Sequence, residues 1–468
     1  MRPTEKLPPG PAEHPVLQGL RFGRDPFGFL DECSRRFGSA FTMRFPRDPP
    51  RVVVSDPAHV RQVFALKPDA YSASAVQIPV NLGARSLLFL DGEEHRRDRQ
   101  LMMPSLHGDR LKSYAHTMYD VTMSHVRRLP RGERVDMKRV LHEITFDVLT
   151  ACLVGGSTPA RVEQIRSSLA AWIHVVFTPE TFLLGLAMGP RRLRATLDRA
   201  TARGGSTGWR WLDRAPWNVA GRAKHDAMSI LREEVVACRS GGSSGRSDVL
   251  ATIANARYED GAPIAVDHAV DELVTLLVGG HETTANSLAW VLCHVLPRPD
   301  LLDQLEQERA RVFPGGEIDP ARASELALLE ACILETMRRT PIAPAVNRNL
   351  LKPLSLDPWL IPAGGIVFPS TYVTHHRQDL WDRPRDFVPQ RFLDKEGVPP
   401  DRFYPFGGGR RTCIGNAFAI FEMRIVLLAL LGELSLVRTT TSLEAEFRAL
   451  TSVPKSCDVI ASNKARAA

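Results

Sequence analysis

The sequence predicts a mainly α-helical fold with a smaller β-containing part. Apolar residues recur at helical spacing from about 110 to 178, and a second periodic stretch runs from 268 to 296. Between 341 and 405 prolines recur, and runs such as WLIPAGGIVFP are typical of short strands joined by tight turns. Because no internal repeat is visible, we expect one domain over 1–468, with β-rich regions at about 40–66 and 341–405.

The predicted elements can be placed in chain order. PRVVV at 50–54 is typical of a buried strand after a turn. The stretch at 268–296 follows Asp267, a residue suited to cap a helix, and is long enough to cross a whole core. Further helices are predicted at 324–339, where a proline follows, and at 416–434.

Composition and charge are those of an ordinary globular protein. Lys and Arg number 60 against 53 Asp and Glu, and these basic residues are scattered, so we expect no nucleic-acid partner. The seven cysteines include no C-x-x-C pair, which favours a reducing compartment, the cytoplasm, over a disulfide framework. Because no segment reaches about 18 uncharged apolar residues, we expect no integral membrane segment.

The loop FGGGRRTCIG at 406–415 carries the most specific chemical pattern. Its glycines let backbone N–H groups approach a sulfur atom, and Arg410 and Arg411 favour the thiolate of Cys413. The helix expected after Gly415 would direct its positive end at the same sulfur. A lone cysteine cannot complete a structural zinc site, which needs four ligands, whereas a single axial thiolate suits a haem iron.

The spacing F-x-x-G-x-R-x-C-x-G resembles the haem-thiolate loop of the cytochrome P450 superfamily, in its soluble bacterial type. The resemblance extends over about residues 8–457. It implies the P450 fold, with haem b between the long central helix and the cysteine loop with its helix. By this resemblance Cys413 is the axial iron ligand, and the cofactor is also contacted by Phe406, Gly407, Arg411 and Gly415.

Three more positions match propionate-binding residues of that family. DGEEHRRDRQ places His95 and Arg99 one helical turn apart, and PIAPAVNR ends in Arg348. A charged surface helix would show the same His95–Arg99 spacing. The resemblance implies that these three side chains, with Arg411, bind the two haem carboxylates.

The segment ETMR places Glu335 and Arg338 on one helix face. Pairs at this spacing are common on solvated helices. The later segment FVPQRF contributes Arg391, and the order of the two segments resembles the family pattern. The resemblance implies that the three residues form a buried structural network under the haem, where each charge must be paired.

The long helix carries GGHETT at 279–284. Adjacent Gly279 and Gly280 allow either close helix packing or an opening for a ligand against the backbone. Thr283 lies on the same face as Gly279 and next to Glu282. This resembles the acid–alcohol pair of the family, in which the hydroxyl positions water and oxygen and the carboxylate relays protons.

The residues expected to line the substrate pocket are mostly apolar. The polar exception is Asn347, which would orient a substrate oxygen or pair with backbone. This lining suits a lipid, terpenoid, steroid or polyketide-like molecule. The proposed lining is Leu276, Gly279, Gly280, Ile342, Ala343, Ala345, Val346 and Asn347.

Together the resemblances imply a monooxygenase that inserts one atom of O2 into an apolar or amphipathic small molecule. No reductase-like segment is visible, so electrons from NAD(P)H would arrive through a separate ferredoxin or flavodoxin with its reductase. A basic docking face would consist of Arg96, Arg97, Arg410 and Arg411. A P450-like isomerase or peroxide-driven peroxygenase is one alternative, and a non-catalytic haem sensor or carrier is another. The intact ETT favours the monooxygenase.

Overall fold

The computed structural model describes most of the chain, and its fold is mainly helical with small sheets, as the sequence predicts. The described residues are 7–46, 48–72, 82–176, 190–207, 212–242, 246, 248–394, 397–448 and 451–464. They divide into two compact units. Unit 1 contains Met1–Ala73, Thr122–Glu143 and Thr283–Ala468, and unit 2 contains Ser74–Val121 and Ile144–Glu282. The assignment of 1–468 to a single catalytic domain stays a prediction.

Helices make up most of the regular structure. In the described segments, none combines the length and the apolar composition that crossing a lipid bilayer requires. In chain order the helices are α1 (Pro15–Arg24), α2 (Pro26–Phe37), α3 (Pro57–Phe64), α4 (Gly92–Leu106), α5 (Asp109–Arg128), α6 (Met137–Val154), α7 (Pro159–Val176), α8 (Pro190–Ala202), α9 (Pro216–Ala237), α10 (Val249–Ala254), α11 (Val266–Val295), α12 (Pro299–Val312), α13 (Ala327–Arg339), α14 (Thr371–His376) and α15 (Asn416–Glu433).

The described strands form small sheets within unit 1. The largest has the order β1-β2-β8-β5-β3, and the others are β4-β12-β9, β6-β7 and β10-β11. The strands are β1 (Ala40–Met43), β2 (Arg51–Val54), β3 (Tyr71–Ser72), β4 (Arg134–Asp136), β5 (Arg348–Leu350), β6 (Leu354–Leu356), β7 (Trp359–Ile361), β8 (Ile366–Pro369), β9 (Leu434–Arg438), β10 (Ala445–Arg448), β11 (Thr451–Pro454) and β12 (Asp458–Asn463).

Strand β2 shows why an uninterrupted valine run becomes a strand. It pairs antiparallel with β1 and parallel with β8, so it lies inside the sheet. Val53 packs into one apolar cluster, while Val52 and Val54 pack into a second cluster. Because successive side chains of a strand point to opposite faces, both faces of the sheet are covered here. The predicted buried strand at 50–54 is confirmed.

The predicted long helix is α11, and it runs for 30 residues without a break. At 1.5 Å per residue it is about 45 Å long. It begins at Val266, so Asp267 lies inside the first turn and is not the cap that the sequence suggested. The Asp267 carboxylate instead pairs with Arg232 at 2.7 Å. The division between the two units falls within α11, after Glu282.

The second β-rich region is shorter than its sequence pattern suggests. Its strands β5 to β8 end at Pro369, and the remainder forms α14 and a 3-10 turn at Pro389–Phe392. Helix α13 begins at Ala327, three residues after the predicted start at 324, because a 3-10 turn occupies Pro320–Glu325. Helix α15 begins at Asn416 as predicted. Strand β5 and helix α15 position the residues of the site.

Candidate functional site

The loop at 406–415, called here the Cys loop, is closed by backbone hydrogen bonds. The Cys413 amide donates to the Phe406 carbonyl at 2.9 Å, and the Gly407 amide donates to the Tyr404 carbonyl at 2.9 Å. All seven cysteines lie in described segments, and Cys413 alone is exposed while the other six are buried. The loop therefore presents this one sulfur outward, where a ligand can reach it.

Conformation and packing account for the glycine run of the Cys loop. Gly407 and Gly409 have φ of 72° and 67°, in the left-handed region that side chains rarely adopt. A Cβ atom on Gly408 would overlap the ring of Phe64. The glycines thus have a role beyond the one inferred from sequence, which was to bring N–H groups near the sulfur.

The sulfur lies beside the start of helix α15. Gly415 precedes the first helical residue, Asn416, as predicted, and a Cβ atom on Gly415 would lie 4.0 Å from the Cys413 Sγ. Helix α15 runs for 18 residues. The N-terminus of a helix carries a partial positive charge, which stabilises an anion close to it. This position favours the thiolate form of the cysteine.

Arg348 is a buried cation for which the described residues provide no carboxylate partner. It is 5% exposed, and its guanidinium donates to the carbonyl oxygens of Asn347 and Gly408, each at 2.9 Å. Burial, with a smaller contribution from the like charge of Arg411, lowers the pKa of Arg348 to about 10. Two arginines that disfavour each other's charge next to the Cys loop form a site suited to an anion.

His95 and Arg99 lie one turn apart on α4, as their spacing predicts. His95 is buried and Arg99 is half-buried. Both residues belong to unit 2, whereas Arg348 and Arg411 belong to unit 1. A propionate site that joins these four residues stays a prediction.

The three residues of the predicted ionic network meet in unit 1. Arg338 donates to both carboxylate oxygens of Glu335, at 2.7 and 2.8 Å, and both side chains are fully buried. The Arg391 Nε lies 3.5 Å from Glu335 Oε1, and the Val388 amide donates to the same oxygen at 2.8 Å. We call these contacts the Glu335 network.

Backbone carbonyls complete the Glu335 network. Arg338 also donates to the carbonyl oxygens of His375 at 2.7 Å, Pro384 at 2.9 Å and Asp386 at 3.0 Å. Every nitrogen of this guanidinium therefore has a partner, which makes its burial tolerable. The contacts tie α13 to the end of α14 and to the loop that follows it.

The two glycines of α11 have different surroundings. A Cβ atom on Gly280 would lie 2.9 Å from Leu149 of α6, so this glycine permits close helix packing. Around the Cβ position of Gly279, no described atom lies within 4 Å. Gly279 and Thr283, one turn later, are both exposed, although most of the helix is buried. Room for a ligand comes from the missing side chain, since the helix itself is unbroken.

The segment 342–347 is fixed mainly through its backbone. The carbonyl of Ile342 accepts from the Ser452 amide, and that of Ala343 accepts from the Thr371 hydroxyl. Ala345 packs against the apolar cluster that contains Phe368 and Tyr372. The side-chain oxygen of Asn347 is buried and accepts no hydrogen bond. Val346 is half-buried, and a Cβ on Gly407 would lie 3.3 Å from it. Leu276 and Glu282 are half-buried on α11.

The proposed basic docking face is only partly supported. Arg96 pairs with Glu93 at 2.5 Å and with Glu259 at 3.6 Å, and Arg97 pairs with Asp260 at 2.5 Å. Glu93 and the acids of the 259–260 turn offset the charge of Arg96 and Arg97 through exposed ion pairs, and the docking face stays a prediction. The sequence alone could not show that this turn meets α4.

One buried acid near the Cys loop was missed by sequence reasoning. Glu422 lies on α15, is fully buried, and neither of its carboxylate oxygens has a hydrogen-bond partner in the described structure. Burial raises the pKa of Glu422 well above its ordinary value, so its neutral form is favoured. A single acid within the apolar run NAFAIFEMRIVLLALL is the signal that could have found it.

Comparison with known proteins identifies the family. The cytochrome P450 family model matches residues 8–193 and 209–458. Cytochrome P450 135B1 of Mycobacterium tuberculosis is 31% identical over 439 residues, 93% of this chain and 87% of the relative. Cytochrome P450 138 of the same species is 29% identical over 442 residues, which is 94% of this chain and 92% of the relative. The structure of retinoic acid-bound cyanobacterial CYP120A1 superposes on 98% of this chain and on 100% of its own chain, with a TM-score of 0.76. The two sequences are 21% identical, so this likeness shows a shared fold. This chain belongs to the cytochrome P450 family and is a haem monooxygenase.

Proposed function

We propose that this P450 oxygenates an apolar or amphipathic small molecule of the lipid, terpenoid, steroid or polyketide type. The observation that carries the proposal is the exposed Cys413 at the start of α15, with Arg348 and Arg411 close by. An outward thiol and a pair of cations suit a group that has a metal centre and carboxylates. When bound, the haem supplies the iron at which dioxygen is activated.

The haem, which we take to be haem b, fits the residues present. Cys413 would bind its iron through the thiolate, with Phe406, Gly407 and Gly415 forming the loop around the sulfur. Arg348 and Arg411 would bind a propionate, which relieves the repulsion between the two guanidinium groups. His95 and Arg99 on α4 would bind propionate oxygens in the same way.

Thr283 and Glu282 would control protons at the site. Thr283 is exposed on α11 on the face where Gly279 leaves open space, so its hydroxyl can hold a water molecule there. Its backbone carbonyl accepts from the Ser287 hydroxyl at 2.9 Å, which fixes the turn that follows. The neighbouring Glu282 is half-buried and can pass protons between this water and solvent.

The substrate would be held chiefly by apolar contact. Leu276 and Gly279 of α11, with Ile342 and Val346 ahead of β5, supply this surface. The side-chain oxygen of Asn347 accepts no hydrogen bond although it is buried, so it is able to accept one from a substrate hydroxyl. A molecule with a large hydrocarbon part and one or a few polar groups fits this chemistry.

Electrons would come from NAD(P)H through a reductase and a ferredoxin or flavodoxin. The exposed Arg410 of the Cys loop is the side chain we assign to this contact, because it lies three residues from the iron ligand in sequence. Arg96 and Arg97 are less suited, since Glu93, Glu259 and Asp260 already balance their charge. Acidic redox proteins are attracted to unbalanced positive charge.

The carbon monoxide difference spectrum of the reduced protein tests the haem ligand. We expect the Soret shift that gives the family its name in the wild type and its loss in Cys413→Ser, whereas Cys33→Ser, at a buried cysteine, keeps it. The same Soret shift in Cys413→Ser would contradict the assignment. Turnover with NAD(P)H, ferredoxin and reductase, compared with turnover by peroxide alone, separates a monooxygenase from a peroxygenase. Absence of turnover with either would favour a sensor or carrier.

A further inference from the structure

A buried group of three metal-binding side chains lies in unit 2, outside the residues assigned to haem. His268 and Glu272 are one turn apart on α11, and Asp98 lies on α4. The His268 Nε2 is 3.0 Å from Asp98 Oδ2 and 3.6 Å from Glu272 Oε1. One ligand atom from each residue lies within 4.8 Å of the other two. We call these residues the His268 cluster.

The atoms that face one another in the His268 cluster form no well-aligned hydrogen bond, although His268 Nε2 lies within ion-pair distance of both acids. These atoms are His268 Nε2, Asp98 Oδ2 and both carboxylate oxygens of Glu272, and Glu272 is 0% exposed. Buried polar atoms in proteins are nearly always satisfied, and a group left without a partner costs about 1–3 kcal/mol. The three residues thus bring buried ligand atoms together without well-aligned hydrogen bonds, an arrangement that a bound cation would satisfy.

Tyr258 fixes the orientation of the cluster from outside. Its hydroxyl donates to Asp98 Oδ1 at 3.1 Å and lies 3.1 Å from His268 Nδ1. Because the hydroxyl has a single proton and gives it to Asp98, the His268 Nδ1–H must donate to the tyrosine oxygen. In the neutral imidazole, Nε2 then carries the lone pair and faces the two carboxylates. Metal-bound histidines are held by such an outer contact to the second ring nitrogen.

A proton on His268 Nε2 balances the two carboxylates only in part. Burial lowers the pKa of His268, but hydrogen bonding to Asp98 and Glu272 overrides it and raises the pKa to about 9, so the metal-free ring is a cation. One N–H cannot point at both carboxylates, so Glu272 has only a share of this proton and a backbone contact from Leu87, and burial still raises its pKa. A divalent cation reaches all three residues, and with a neutral imidazole it balances both negative charges.

We propose that Asp98, His268 and Glu272 bind one structural Zn²⁺ ion. In a tetrahedral site with bonds of about 2.0–2.2 Å, ligand atoms lie roughly 3.3–3.6 Å apart. The observed 3.0 and 3.6 Å are close to this spacing. A water molecule would complete four-coordination, because the two oxygens of one carboxylate are too close together to occupy two corners of a tetrahedron. The ion would join α4 to the first turns of α11, and this assignment does not depend on the identity of the substrate.

Zinc content of the full-length haem protein tests the proposal. The protein is produced with added ZnSO4, washed with a chelator to remove surface metal, and analysed for zinc and iron by mass spectrometry. We expect about one zinc per chain in the wild type. X-ray absorption at the zinc edge should show nitrogen and oxygen ligands without sulfur, which excludes a cysteine site.

Two variants and a matched control localise the ion. Glu272→Gln and His268→Gln remove one ligand each with little change in size, and both should lose the zinc. Glu259→Gln makes the same chemical change at an exposed acid of unit 2 and should keep it. Zinc should also raise the unfolding temperature of the wild type and of Glu259→Gln, but not of Glu272→Gln.

The opposite results overturn the proposal. A wild-type protein that holds no zinc after production with ZnSO4 contradicts it, even if the variants fail to fold. Equal zinc in the wild type and in Glu272→Gln, or a sulfur ligand in the absorption spectrum, also contradicts it. In any of these cases the His268 cluster is a proton-bridged ion group only.

Discussion

The Glu335 network and the His268 cluster are both buried ionic groups built on helices, but they differ in how their charges are satisfied. In the Glu335 network every guanidinium nitrogen of Arg338 has an acceptor, and both Glu335 oxygens have donors. In the His268 cluster the atoms that face one another form no well-aligned hydrogen bond. Both groups are buried and charged, so the completeness of hydrogen bonding is what separates the Glu335–Arg338 pair from the His268 cluster.

Arg348 extends this comparison to the opposite charge. It is as buried as the members of both groups, and its guanidinium contacts only backbone carbonyls and aromatic rings in the described structure. The His268 cluster contains two carboxylates that a bound cation would neutralise, whereas Arg348 is a guanidinium that a bound carboxylate would neutralise. Arg348 in unit 1 and the His268 cluster in unit 2 thus indicate ligands of opposite charge.

Breaking the fully hydrogen-bonded Glu335–Arg338 pair should have the largest effect. Glu335→Ala leaves the Arg338 guanidinium buried without its anion, so we expect the free energy of unfolding to fall by about 3–5 kcal/mol. Urea unfolding followed by circular dichroism measures this loss. The control is Glu325→Ala, which breaks an exposed pair with Arg322 at the same spacing and should change stability little. Similar losses in the two variants would show that completeness and burial are not decisive.

Removing the charge of Arg348, which has no carboxylate partner in the described structure, should weaken haem retention more than it lowers the stability of the fold. Arg348→Met takes away a charge that has no acid partner, so we expect the haem-free protein to unfold at the same or higher temperature. Haem should transfer to apomyoglobin about 10- to 100-fold faster, since a charge-assisted hydrogen bond contributes about 1.5–3 kcal/mol. A haem-free protein that is strongly destabilised, with unchanged haem transfer, would mean that Arg348 is a structural residue like Arg338.

Glu422 offers a smaller, pH-dependent test. Its pKa is raised in the folded state by burial, so above the pKa of the unfolded chain the folded protein binds more protons than the unfolded one. Stability therefore falls as pH rises through this window, by up to about 1.4 kcal/mol per pH unit. Glu422→Gln removes the titrating group, so the stability of this variant does not fall in the same way. Its free energy of unfolding relative to that of the wild type should therefore increase from pH 5 to pH 7. Denaturant unfolding at both values measures the difference, and a constant difference would refute the neutral state.

Much of the fold was predictable because the signals for its helices and strands lie within short segments of the sequence. The valine run of β2, the long helix α11 and the starts of the helices carry their signals within a few adjacent residues. The Glu335–Arg338 pair was predictable for the same reason, since both side chains lie on one helix face. Asp267 lies within the first turn rather than at the predicted cap, because several N-terminal positions tolerate an acid.

The missed features are those that join distant segments. Asp98 and Tyr258 come from different parts of the sequence than His268, so no spacing rule connects them. The pair His268 and Glu272, one turn apart in an apolar helix, was the one local sign of the cluster. The partners of Arg96 and Arg97 lie in the turn at 259–260, and the reason for Gly408 is the ring of Phe64. These relations exist only after folding.

The buried charge of Arg348 also bears on how long the protein survives in a cell. A chain that has not yet received haem has no propionate to pair with this guanidinium, whereas haem binding stabilises the folded form by mass action. We expect such chains to open more often and to be cleaved by proteases sooner than loaded ones. The amount of enzyme would then follow the supply of haem without a dedicated regulator.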